Sequence, residues 1–373
     1  MRDSSKKREF GFTLLEMTIA MALGTLVLGA AVQLYSQGVG ATFAVSQRAE
    51  MQQDFRATAN LLTKDLSLAG AGLGNGAAIA LPTATTLPVY GCDQSTSCHL
   101  GLTNSTAGAF PTQSGAPFLY GLIPGYYGGP TINTPPGPTD VVTVAYTDNT
   151  FLLNCYTATV TTTTTVTFTV PSPLTCALPN GLSAPQAIND GVVGLTAGDL
   201  VLFTFGTTSA VAEIYGSTTT ATTATFATND PLKMNQPSFP NSLGSHQGAV
   251  GTATRIFLIT YYIDSTTSPA RLMRQISGHT PMPVTDSVVY MKFSYDLYND
   301  STNTIATNQP NPGSGDTNDT ASNGLLPNQI TKINILHMAT DSALRGTKGF
   351  QGLDLETSVS ARDLTYNNNY PLH

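Results

Sequence analysis

Residues 10–35 read FGFTLLEMTIAMALGTLVLGAAVQLY, and this stretch decides the fold. From Phe12 to Tyr35 the side chains are mostly apolar or small. Glu16 is the single charge, and the next charged residue is Arg48. Twenty-four helical residues at about 1.5 Å each reach about 36 Å, enough to cross the roughly 30 Å hydrocarbon core of a bilayer. Ahead of the run stand Arg2, Lys6, Lys7 and Arg8 against Asp3 and Glu9, a net charge of +2. A basic flank of this kind keeps the N-terminus cytoplasmic and sends the bulk of the chain to the other side.

Two simpler readings fall short. A secretory signal has an apolar core of about 7–15 residues followed by a small-residue cleavage site. Here the run is longer and passes into an amphipathic helix without a break. A plain single-pass anchor fits the length but leaves Glu16 unexplained. A carboxylate at that depth costs at least ~2.5 kcal/mol, so it reads as functional and in need of a partner.

The stretch Gly11-Phe12-Thr13-Leu14-Leu15-Glu16, behind its basic leader and ahead of the apolar run, resembles the prepilin cleavage and methylation motif of type IV pilins and type II secretion pseudopilins. The resemblance implies that a prepilin peptidase cuts between Gly11 and Phe12, and that the new N-terminal Phe12 is N-methylated. It also implies that Glu16 pairs with a Phe12 ammonium, its own or a neighbour's, during assembly. Gly11 has no side chain to obstruct the peptidase. A desolvated pair of opposite charges cancels most of the penalty each carries alone, so mispaired subunits would leave a buried charge.

Beyond Gly38 and Gly40, Met51, Phe55, Ala59, Leu62, Leu66 and Ala69 recur every three to four residues, the apolar face of a helix. Arg48, Glu50, Asp54, Arg56, Lys64 and Asp65 are expected on its other faces. The glycines of Gly70-Ala71-Gly72-Leu73-Gly74 end the helix. They do not form a G-x-G-x-x-G phosphate loop. The expected organisation is a leader over 1–11, a membrane and assembly helix over 12–35, its amphipathic continuation over 36–70, and a head over 77–373. Gln52-Gln53-Asp54-Phe55-Arg56 and the segment Leu61–Gly70 resemble PilW-like minor pilins, with the J group of type II pseudopilins similar in layout.

The head alternates short strand-like runs with Gly/Pro/Asn/Thr turns. Val141–Tyr146, Tyr156–Val170, Asp199–Thr204, Ala210–Tyr215, Arg255–Ile263, Val288–Tyr295, Ile330–His337 and Leu353–Leu364 are the candidates. Pro124–Pro138 reads as a loop, and Thr161–Thr169 as part of an exposed strand. Gly198–Leu202, Tyr261-Tyr262-Ile263, Arg271–Arg274 and Thr357–Leu364 extend the PilW-like resemblance in order along the chain. The inserts at 77–135, 216–250 and 299–328 fall outside it. The predicted fold class is α+β: one long N-terminal helix carrying a large antiparallel β-rich head.

Charged residues make up 10% of the 373, and the net charge is −7. That composition suits an exported β-rich protein and lacks the basic stripe that nucleic-acid binding requires. Cys92, Cys98, Cys155 and Cys176 form an even set, and in an exported chain they are disulfide candidates. Cys92–Cys98 and Cys155–Cys176 are natural pairs, though three pairings remain open. His99, His246, His279, His337 and His373 are scattered, none spaced with a partner to read as a zinc site. G-x-S-x-G and H-E-x-x-H are absent, so no enzymatic activity is expected. The one cofactor reading is calcium, in the late acidic loop of Asp296-Leu297-Tyr298-Asn299-Asp300 with Asp316, Asn318 and Asp319, although its spacing is not that of an EF-hand.

A head this large would crowd a filament shaft, which favours a low-copy or tip position. The reading is therefore a PilW-like minor pilin in the inner membrane, with a cytoplasmic leader and an extracytoplasmic head. Its expected partners are the membrane, prepilin peptidase and other minor and major pilins. A type II secretion pseudopilin and a tip-displayed adhesin are the alternatives.

Overall fold

The computed structural model describes residues 11–74, 78–84, 86–100, 107–132, 137–174, 176–178, 182–216, 219–299, 302–312, 325–343, 350–361 and 364. Among the described residues, the first element is the helix Leu14–Ser67. Two compact units follow from the internal packing: residues 1–53 with 343–351, and residues 54–342 with 352–373.

In the first unit the helix from Met17 to Tyr35 carries no charged side chain. Leu14, Leu15, Met17, Met21, Leu26 and Leu34 are each more than half exposed. An apolar helix surface with no protein cover is suited to lipid rather than to water. By length and composition this helix can cross a membrane. Gly38 and Gly40 sit inside it without interrupting it, and a Cβ at either would meet nothing within 4 Å.

In the second unit the last turns of the helix carry a buried stripe of Phe55, Thr58, Leu62, Asp65 and Leu66. Leu62 and Leu66 are fully buried in the main core. Each such leucine contributes about 1.5–3 kcal/mol relative to an exposed one. Asp65 is a correction to the expected pattern: it faces the core, 3% exposed, because the head supplies it with two donors. The helix stops at Ser67, and Gly70, Gly72 and Gly74 all take positive φ. There Gly70 N–H donates to Ala145 O and Ala71 O accepts from Thr147 N–H, both at 2.9 Å, so the exit is laid along a strand. Gly72 is required on two counts: φ is +74°, and a Cβ would lie 2.0 Å from Thr147 Oγ1.

The head is β-rich, and its ladders of described register run antiparallel. A ten-stranded sheet is organised by the 15-residue strand Val250–Asp264. Leu200–Phe205 pairs with its first half, Val141–Thr147 with its middle and Arg271–Ile276 with its end. The same strand links two cores. One holds Leu62, Leu66, Tyr261 and Phe293; the other holds Phe151, Val160, Phe168, Phe203 and Phe226. A second sheet orders Thr304–Gln309, Val288–Asn299, Ile330–Ala343 and Phe350–Ser360.

Two local expectations change. Tyr156–Val170 is a hairpin, Thr157–Thr162 with Thr165–Thr169, rather than one strand. Val160, Val166 and Phe168 are fully buried there, so its threonines line one face of a packed hairpin. Within Pro124–Pro138, Pro124 belongs to the edge strand Leu122–Gly125, where a residue without an N–H is tolerated.

Candidate processing and assembly site

Gly11 lies just ahead of the helix in irregular backbone, with open space where a side chain would be. Phe12 follows it and is 90% exposed. Among the described residues, nothing packs over the bond between them.

Thr13 is the helix N-cap: its carbonyl accepts from Met17 N–H at 3.2 Å. Its hydroxyl accepts from Glu16 N–H at 3.3 Å, while Thr13 N–H donates to Glu16 Oε2 at 3.0 Å and Thr13 Oγ1 donates to the same oxygen at 2.9 Å. This is a reciprocal capping box, which satisfies two of the donors a helix start leaves unpaired. The signal stands in the sequence as Thr-x-x-Glu immediately before an apolar run, a capping role beyond the expected pairing of Glu16 with a Phe12 ammonium, its own or a neighbour's. Glu16 is thus held at the end of the helix, where the dipole favours an anion. The amine released by cutting before Phe12 would appear one residue from that cap.

A family model described as the prokaryotic N-terminal methylation motif matches residues 6–32. The chain is similar to the type IV pilin-like proteins. That match carries with it processing by prepilin peptidase and assembly as a pilin in the general sense. No curated protein and no solved structure matches the chain significantly.

Within the head of this pilin-like chain, the helix is clasped by polar as well as apolar contacts. Tyr261 Oη donates to Asp65 Oδ2 at 2.6 Å, and Arg274 Nε donates to the same oxygen at 2.8 Å. Burial, together with the Asp65 carboxylate beside it, pushes the Tyr261 phenol up, so it stays a donor. The neighbouring strands Val250–Asp264 and Arg271–Ile276 therefore supply the two residues that grip the helix end.

A second cluster surrounds Arg255, which lies between the Phe151 and Phe257 rings. Its guanidinium donates to Asp148 Oδ2 through Nε at 2.8 Å, to Gly194 O at 3.0 Å and to Asp199 Oδ2 at 3.4 Å. His279 Nε2 lies 2.9 Å from Asp199 Oδ1. Burial would raise Asp199, but the bonds from His279 and Thr196 N–H, with the Arg255 charge, hold it low. Asp140 is buried against Lys292 Nζ at 2.5 Å, and that ammonium lies over the Tyr126 and Tyr127 rings.

Disulfides join Cys92 to Cys98 and Cys155 to Cys176. Asp296–Asn299, expected in a late acidic loop, belong to the strand Val288–Asn299; Asp296 Oδ1 accepts from Asn308 N–H at 2.9 Å and Asn334 Nδ2 at 3.0 Å, and Lys332 Nζ lies 3.9 Å from Oδ2. Both hydrogen bonds fall on one carboxylate oxygen of Asp296. Asp300, Asp316, Asn318 and Asp319 lie outside the described residues.

Proposed function

We propose that this chain is a PilW-like minor pilin, cut after Gly11, methylated at Phe12, and assembled into or priming a type IV pilus at low copy or at its tip. The observation that carries the reading is the combination at one helix start of a bare Gly11–Phe12 bond and a capped, lipid-depth Glu16. Cutting creates an ammonium where a carboxylate is already oriented, and either its own or a neighbouring subunit's ammonium can then neutralise it. The large β-rich head, gripped at Asp65, supports a position where it does not have to repeat along a shaft. On this reading the protein is a non-enzymatic subunit that begins as an inner-membrane precursor with its head outside the cytoplasm.

Replacing Glu16 with Ala tests the role. The variant should insert and be cut to an N-methyl-Phe12 start, seen by N-terminal sequencing, yet be missing from sheared filaments. It should also lose the capping box that Glu16 makes with Thr13. Normal incorporation of the variant would remove the assembly role from Glu16. A type II secretion pseudopilin remains the second reading, because residues 6–32 match a motif that the two classes share. Loss of secretion with intact piliation on deleting the chain would favour it.

A further inference from the structure

His337 stands on one strand and Asp354 and Glu356 on the next, and the three converge on the outer face of the second sheet. His337 Nδ1 lies 2.9 Å from Asp354 Oδ2 and 3.7 Å from Glu356 Oε1, and one ligand atom from each of the three falls within 4.8 Å of the others. A β-bulge places the imidazole there. Lys292 pairs with His337 and Phe293 with Ile335, so Leu336 is the extra residue. The inward positions change from Ile333 and Ile335 to Met338 and Thr340, and Leu336 and His337 both turn outward. Bulges commonly re-aim a side chain at a site. On the neighbouring strand, Asp354 and Glu356 are two apart and share the exposed face.

From this geometry we infer a divalent transition-metal site of the zinc class, with His337 Nδ1 and one oxygen each from Asp354 and Glu356 as ligands. A tetrahedral ion with bonds of about 2.0–2.2 Å sets its donors about 3.3–3.6 Å apart; the His337 nitrogen, at 2.9 and 3.7 Å from the two carboxylates, brackets that spacing, and the three exposed side chains can turn to meet it. The mixed nitrogen and oxygen set suits zinc better than calcium, which takes six to eight oxygens. An ordinary exposed ion pair is worth only about 0–1 kcal/mol and would account for one carboxylate. Here two carboxylates face one nitrogen in a chain with only 10% charged residues. A cation between them removes their mutual repulsion. The three ligands come from adjacent strands, a rigid base, and the fourth position opens to solvent and takes water.

The test uses the full chain, tag-free and in detergent, titrated calorimetrically with Zn²⁺ alone and then with Ca²⁺. Saturable one-to-one Zn²⁺ binding is expected, at least about tenfold weaker in His337→Ala and in Asp354→Asn, and unchanged in His279→Ala. Co²⁺ should give the strong visible absorption of a four-coordinate ion and lose it in His337→Ala. All three ligands are exposed, and unaltered far-ultraviolet dichroism checks that the variants fold. Absence of saturable Zn²⁺ binding, binding indifferent to His337→Ala, or tighter binding of Ca²⁺ than of Zn²⁺ would each overturn the assignment.

Discussion

Glu213 ends the strand Thr208–Glu213 and is fully buried beside Asp230, itself 1% exposed. Their carboxyl groups hydrogen-bond each other. Gln94 Nε2 donates to Glu213 Oε1 at 2.5 Å and Leu232 N–H to Oε2 at 3.2 Å, while Asp230 takes the Met234 and Asn235 amides at 2.7 and 2.9 Å. Burial first, and the Asp230 charge second, push Glu213 up to about 10. Two adjacent buried carboxylates cannot both ionise, so the pair keeps one proton at neutral pH. The unfolded chain releases that proton above the ordinary carboxyl range. Stability from the pair is therefore complete below that range and is lost as pH rises toward about 10. One proton corresponds to about 1.4 kcal/mol per pH unit, or about 2.7 kcal/mol between about pH 6 and pH 8. Glu213→Gln keeps the shape and a donor toward Asp230 but has no proton to lose. It gives up the Leu232 bond, about 1 kcal/mol, so the readout is the slope rather than the absolute stability. Urea unfolding of the detergent-solubilised chain, followed by tyrosine near-ultraviolet dichroism (15 Tyr and no Trp), gives that slope. Ionisable groups away from the Glu213–Asp230 pair are common to both proteins and cancel in the difference. Parallel pH profiles for the two proteins would refute the shared proton.

Asp65→Ala removes the carboxylate that Tyr261 and Arg274 share. Leaving a mostly buried guanidinium unpaired should cost about 3 kcal/mol, and Asp65→Asn should cost less; denaturant midpoints measure both. Replacing Cys155 and Cys176 with Ser opens a closure 21 residues long in sequence separation, against 6 for Cys92 and Cys98. Chain entropy gives about 3 kcal/mol for the first and about 2 kcal/mol for the second. The reverse order in urea unfolding would show that loop length does not govern these bridges.

The N-terminal device was legible in the sequence because every part of it is local. A basic flank, Gly11, Phe12, Glu16 and a long apolar run are read along one helix, with no knowledge of what lies elsewhere. Even the capping box needs only Thr13 and Glu16, three residues apart. The strand-rich head was legible for a similar reason, since alternation and turn residues act over a few positions. What the sequence could not supply were contacts between distant residues. Asp65 looked like a solvent-facing charge until folding placed Tyr261 and Arg274, almost 200 residues away or more, against it. His337 had no ligand at helical spacing, because its companions lie on the next strand and a one-residue bulge aims it at them. Glu213 and Asp230 became a proton-sharing pair only when the core closed over both. Periodicity records which face of an element turns inward, but only the pairing of strands decides what waits there, and a single bulge is enough to change the answer.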